Sequence, residues 1–495
     1  MAGIITIKIN FKGGIISPGQ LHSILVAASE IGVRYISFGL RQQLLIEVSS
    51  YSVDTFTAAL KVLQVSYQTS NETHPNILSS YPAEEVFISN NWLGEGVYKD
   101  IFDAFDYEPR LKVNISDSNQ SFTPLLTGNI NWVASNQQHF WHLLIRFPKT
   151  NIVFEWEMLT YTNHVSQVSK EIEQIIFNQP EIFIGNDQIK PETLFMALDQ
   201  TQFILKAAET KAVLPLFNLP YYEGLNRYNG KVWLGIYQRD ELFSIKLLKD
   251  ICLLSLETKI GQLCSTPWKS LIIKGIEEQD RYKWNQLLET HYVNVRHALN
   301  ELNFQVEDNC KEGIALKQYL IKQLNEDDLR TFGLCIGIKT RNKSEVFSSI
   351  LVRRKSLIKI GKWNLFFVYD ILCAKDFNPN ERTGKIFSSN NPKILLGEQL
   401  RRAVIAYYKY KLQKQTINSG KDKIVVKEVV VEAQLFMHQC SHCLTVYDEK
   451  FGEVEQGIIA GTSFENLSPQ YCCPLCEAPK TDFVKKEIRT SKVER

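Results

Sequence analysis

The chain opens with two hydrophobic periods in succession. In residues 4–11, "IITIKINF", apolar and polar positions alternate, which is the two-residue period of a half-buried strand. "SPGQ" follows, with Ser17 as N-cap, Pro18 as first helical residue and Gln20 three places beyond the cap, which predicts a helix start. Leu21, Ile24, Leu25 and Ala28 then recur at helical spacing and predict one buried face. "VRYISFG" and "LLIEV" predict a hairpin-like pair of strands, completing an α/β unit. "GGIISPG" reads as the turn into the helix rather than as a phosphate loop.

A related pattern returns about 228 residues later. "VWLGIYQ" (232–238) predicts a strand, and a helix follows with Leu242, Ile245, Leu248 and Leu253 apolar. "GQLCSTPWKSLIIKGI" (261–276) then parallels "GVRYISFGLRQQLLIEV" (32–48), with Arg41 opposite Lys269. A repeat of such long period signals a duplicated fold. Further on, "LQKQTINSGKDKIVVKEVVVEA" (412–433) has a polar, glycine-containing centre, as a flexible connector should. "IVVKEVVVEAQLFM" predicts a strand leading out of it.

At 495 residues the chain should divide into about three to five domains. A hydrophobic share of 44% and a charged share of 22% are ordinary for a globular protein. The net charge of +2 gives no reason to expect nucleic acid or an anionic membrane as partner. Uncharged apolar runs of about 18 residues are absent, and the N-terminus lacks the basic, long-apolar and small-residue segments of a signal peptide. The expected location is cytoplasmic, where thiols stay reduced and clustered cysteines point to metal or redox chemistry.

Of ten cysteines, Cys252, Cys264, Cys310, Cys335 and Cys373 are scattered, and the other five crowd the C-terminus. Two CxxC pairs can be drawn there, Cys440 with Cys443 and Cys473 with Cys476. Each short turn can aim two sulfurs at one point, so two turns supply four thiolates, a donor set that suits iron or zinc. Cys472 has the wrong spacing for such a turn and is read as a bystander. His442, inside the first pair, is read as exposed because four sulfurs already fill a tetrahedron.

The text around these cysteines resembles a rubredoxin. Tyr447-Asp448 follows the first pair, Gly457 precedes "AGT", and Phe464 precedes "ENL". Tyr471 stands two before Cys473, Pro474 lies inside the second pair, and "APK" with Phe483 closes the stretch. The resemblance implies a mononuclear iron centre on four cysteine thiolates that carries one electron. It also implies a redox protein as partner; the acidic Asp448, Glu449, Glu453, Glu455, Glu465, Glu477 and Asp482 read as a solvated face or as a surface that steers toward a basic partner. The family usually places glycine after the second cysteine of each pair, for a positive-φ turn; here Leu444 and Glu477 stand there. A side chain at such a φ costs about 1–2 kcal/mol.

The body resembles the sirohaem-dependent nitrite and sulfite reductases, over "KGGIISPGQLHSILVAASEIGVRYISFGLRQQLLIEV" and "PRLKVNISDSNQSFTPLLTGNINWVAS" (109–135). "TPWK" is closer to the related precorrin-3B synthase. The resemblance implies an α/β (α+β) body of duplicated ferredoxin-like half-domains and central domains. The expected division is 1–70 and 226–292 for the half-domains, 71–225 and 293–411 for the central domains. Then come 412–433 as linker and entry strand and 434–486 as the rubredoxin fold. By the same resemblance Arg41 would grip sirohaem carboxylates, and Arg110 and Lys112 would meet the anionic substrate. Yet the C-x5-C and C-x3-C of the family's [4Fe–4S] cluster are absent; only Cys310 and Cys335 lie in the corresponding region. The expectation is therefore an iron-binding electron carrier with mononuclear iron, without the cluster and without sirohaem. It would deliver electrons to a partner reductase; the alternatives are a sirohaem-binding oxidoreductase of the nitrite or sulfite type fed by its own rubredoxin domain, and a zinc-stapled interaction protein.

Overall fold

Ser17 does cap a helix. Its side chain accepts from the Gln20 N–H, and the helix runs Pro18–Glu30 with Leu21, Ile24, Leu25 and Ala28 fully buried. The strand before it, Ile4–Ile9, pairs antiparallel with Leu44–Ser49, which pairs with Tyr35–Phe38. The second appearance of the pattern gives a strand at Lys231–Ile236 and a helix at Ile245–Glu257, capped by Ser244. Leu242 lies outside that helix and Leu253 faces solvent, while Leu247, Ile251 and Cys252 join Ile245 and Leu248 in the core.

The computed structural model describes residues 3–69, 74–87, 92–341, 346–360, 363–381, 384–419, 436–449, 451–453, 456–459 and 461–487. It divides into two compact units, Met1–Gln415 and Thr416–Arg495. No helix among the described residues is long and apolar enough to cross a membrane.

Among the described residues the larger unit is a mixed α/β body with four sheets. Two of them exchange a short strand. Phe243–Ser244 completes the sheet of Ile4–Ile9, Leu44–Ser49 and Tyr35–Phe38. In return Ile15–Ile16 completes the sheet of Gly224–Tyr228, Lys231–Ile236, Leu271–Ile276 and Leu263–Ser265. Each exchanged strand leads directly into its helix, and the helices Pro18–Glu30 and Ile245–Glu257 pack on each other in one shared core. The hand-over occurs at Gly13 and Gly14, both at positive φ; a Cβ on Gly13 would stand 2.2 Å from the Phe102 ring.

The other two sheets share an order. Leu78–Ser79, Val113–Ser116 and Ile130–Ala134 run parallel, and Phe140–Ile145 returns antiparallel. Phe304–Val306, Ile336–Lys339 and Ile350–Ile360 also run parallel, and Trp363–Ala374 returns antiparallel.

The turns correct one alignment. Gly39 and Gln43 close a turn with Gln42 at φ 64°, and Thr266 and Ser270 close a like turn with Lys269 at φ 54°. Lys269 therefore stands opposite Gln42, and Trp268 opposite Arg41. Sequence letters favoured matching two basic residues, but the backbone conformation fixes the register one place later.

The first residues of the stretch expected as linker and entry strand, 412–433, are helical. They belong to the helix Lys393–Ser419, and 420–433 lie outside the described residues. In the smaller unit Phe436–Cys440 is the central strand of three, between Val446–Tyr447 and Phe483–Glu487.

Candidate metal centre

The strand Phe436–Cys440 ends on the first cysteine, and the chain turns at once through Cys443. The Cys440 N–H donates to the Thr445 carbonyl at 2.8 Å, and the Leu444 N–H donates back to the Cys440 carbonyl at 3.1 Å. The second turn repeats this. The Cys473 N–H donates to the Ala478 carbonyl at 2.8 Å and the Glu477 N–H to the Cys473 carbonyl at 2.9 Å. Leu444 has φ 64° and Glu477 φ 60°. Both knuckles thus adopt the left-handed turn that the missing glycines implied, with a side chain in each.

The two knuckles bring four sulfurs together, all within 4.8 Å of one another. Cys440 Sγ lies 3.5 Å from Cys476 Sγ, and Cys443 Sγ lies 3.4 Å from Cys473 Sγ. Four sulfurs about 2.3 Å from one tetrahedral ion stand roughly 3.8 Å apart, so the set fits a single metal ion. Among the described residues no other group of three or more His, Cys, Asp or Glu converges in this way. Cys440 and Cys473 are buried, Cys443 is half-buried and Cys476 is exposed. The first cysteine of each pair therefore anchors the site, and the second carries it to the surface.

The polar groups around the sulfurs prepare them unequally. The Thr445 hydroxyl lies 3.1 Å from Cys443 Sγ and, with the Thr445 N–H, pulls that thiol down to about 6. At Cys476 the Ala478 N–H also lowers the thiol, but local desolvation and the neighbouring thiols Cys443, Cys440 and Cys473 outweigh it and push Cys476 up to about 12. A cation that replaces the protons relieves this crowding, so metal binding and proton release are coupled. Thr445 escaped the sequence reading; its only signal was a hydroxyl two places after a ligand.

Under the sulfurs lies an aromatic cluster of Tyr447, Phe464, Tyr471 and Phe483. Phe464 and Phe483 have centroids 5.2 Å apart, and Tyr471 and Phe483 5.6 Å. Lys480 reaches across to the Leu467 carbonyl at 2.7 Å and pins the closing segment. Cys472 is exposed, and its Sγ turns to the Gln470 carbonyl at 3.5 Å, outside the sulfur set. His442 is exposed and pairs with Asp482 at 2.7 Å.

The body residues singled out from sequence do different things. Arg41 is buried; its guanidinium donates to the Asn76 carbonyl at 2.9 Å, the Val113 carbonyl at 2.8 Å and Asn114 Oδ1 at 3.2 Å. Arg110 lays its guanidinium over the Phe177 ring at 4.0 Å. Lys112 is half-buried, one residue before the Val113 that Arg41 contacts. Among the described residues of the body no three or more cysteines converge. Cys310 Sγ is engaged by Thr340 Oγ1 at 3.2 Å and the Gly313 N–H at 3.3 Å, and Cys335 Sγ by the Ser349 N–H at 3.2 Å.

The chain is similar to the NirA protein of Mycobacterium tuberculosis, with a TM-score of 0.63 at 14% identity, over 82% of this chain and 81% of that one. A match of that extent must run through most of Met1–Gln415, so the body shares that protein's fold. The rubredoxin family model matches residues 437–483. Over 50 residues the chain is 44% identical to Rubredoxin-2 of Pseudomonas aeruginosa, covering 10% of this chain and 91% of that one. Against Rubredoxin-2 of Ectopseudomonas oleovorans it is 42% identical over 45 residues, 9% of this chain. Here it spans only 26% of the relative's length. Through its four-cysteine C-terminal domain, the chain belongs to the rubredoxin family.

Proposed function

We propose that the protein is a one-electron carrier whose C-terminal domain holds one iron ion on Cys440, Cys443, Cys473 and Cys476 and whose body docks onto a redox partner. The convergence of these four sulfurs within 4.8 Å carries the reading. Iron on four thiolates supplies a one-electron couple between its ferrous and ferric states. The matched backbone hydrogen bonds of the two knuckles fix the sulfurs, so little needs to move when the charge changes. Cys443 and Cys476 offer the surface route to a partner.

The partner proposed is a nitrite or sulfite reductase, or its electron donor. Support comes from the body's resemblance to that family and from its shared fold with NirA. Fusion would hold the carrier at high local concentration near such a partner. The recurring order of strands, the matched turns at Gln42 and Lys269 and the two similarly ordered mixed sheets support a body of duplicated ferredoxin-like half-domains and central domains. All ten cysteines are free, which suits a reducing, cytoplasmic compartment.

Metal analysis and visible spectroscopy of the purified chain test the carrier. One iron per chain, with charge-transfer bands that bleach on reduction, is the expected result. One zinc and no colour would overturn it. A tetrapyrrole Soret band would instead make the body a catalyst fed by its own iron domain.

A further inference from the structure

We propose that Leu444 and Glu477 hold the reduction potential of the centre below the value it would have with glycine at both positions. The proposal rests on the iron-carrier reading. Each residue follows the second cysteine of its pair, and each is held at positive φ, 64° and 60°. A non-glycine side chain there is strained, and strain kept at the ligands of a metal site calls for a functional account.

Both side chains act in one direction. With four thiolates the centre carries one negative charge when oxidised and two when reduced. Glu477 is exposed and directly follows Cys476, the most exposed ligand, so a fixed carboxylate stands beside the charge that reduction increases. Like charges repel, which disfavours the reduced state. Leu444 follows the half-buried Cys443 and sets an isobutyl group, itself 61% exposed, on the solvent side of that knuckle. Glycine would leave this flank to water. Replacing water by hydrocarbon disfavours the more highly charged state, which again is the reduced one. The nearby Asp482 has a different standing, because it is paired with His442 at 2.7 Å.

The full-length, iron-loaded chain and its variants Leu444→Gly, Glu477→Gly and Glu477→Gln decide the matter by voltammetry. Each glycine variant should raise the midpoint by a severalfold to tenfold change in the one-electron equilibrium constant, tenfold being about 59 mV. Glu477→Gln should reproduce most of the Glu477→Gly shift, and both should shrink at high ionic strength, where exposed charges are screened. The Leu444→Gly shift should not depend on salt. A purely structural role would change melting or iron release while leaving the midpoint and its salt dependence alone. Unchanged or lowered midpoints in iron-loaded glycine variants would overturn the proposal and leave the carrier function standing. Absence of any iron couple in the parent chain would overturn both.

Discussion

Lys269 Nζ lies 2.5 Å from a carboxylate oxygen of Glu241, and both side chains are buried. The other oxygen of Glu241 lies 3.4 Å from Lys317 Nζ, which also reaches Tyr237 Oη at 2.6 Å. One carboxylate thus serves two buried ammonium groups. Removing it should be costly, because it takes the paired carboxylate from buried Lys317 and leaves buried Lys269 with only the Asp308 carboxylate, at 3.5 Å. Glu241→Ala is expected to lower unfolding stability by about 3–5 kcal/mol, measured by denaturant titration of the whole chain.

The same carboxylate predicts an acid limb. Burial raises the Glu241 carboxyl, but Lys269 and Lys317 outweigh it and hold the group below the ordinary carboxylate value. A depressed folded-state value means that the stabilisation is fully present above the unfolded value of about 4.3 and is lost as pH falls through the folded value. Stability measured from neutral pH downward should therefore drop on acidification. In Glu241→Gln that part of the slope should disappear.

At the metal centre the five C-terminal cysteines should separate cleanly. Cys440→Ala, Cys443→Ala, Cys473→Ala and Cys476→Ala each leave three sulfurs and should lose the metal, by metal analysis after dialysis against a chelator. Cys472→Ser should keep it, since its sulfur turns away to Gln470.

The two helix caps should differ in weight. Ser244 Oγ accepts from the Leu247 N–H at 3.1 Å in a half-buried setting, whereas Ser17 accepts from Gln20 at 3.5 Å on the surface. Ser244→Ala should cost about 1 kcal/mol, and Ser17→Ala less, in the same denaturant titration.

Much of this was legible from short stretches of chain. The Ser17 cap and the Leu21, Ile24, Leu25 and Ala28 face lie within a dozen residues, so periodicity alone reveals them. The knuckles are as local: three-residue spacing fixes which sulfurs face one point, and the family's glycine positions foretold positive φ at Leu444 and Glu477. The roles of body residues were harder to read. The sequence shows the charge of Arg41 and not its acceptors; the Asn76 and Val113 carbonyls that it meets come from 35 and 72 residues away.

Local sequence pattern is enough to reveal the four-sulfur donor set, the strand and helix periods near the N-terminus and their recurrence from residue 232. Each depends on neighbours within a turn or two of backbone. The exchange of Ile15–Ile16 for Phe243–Ser244, the match of Lys269 with Gln42 and the burial of Lys269 beside Glu241 emerge when the chain is folded. Two-residue strands carry no period to detect. A buried charge is tolerated only when a distant segment delivers its counter-charge, which the fold alone can arrange.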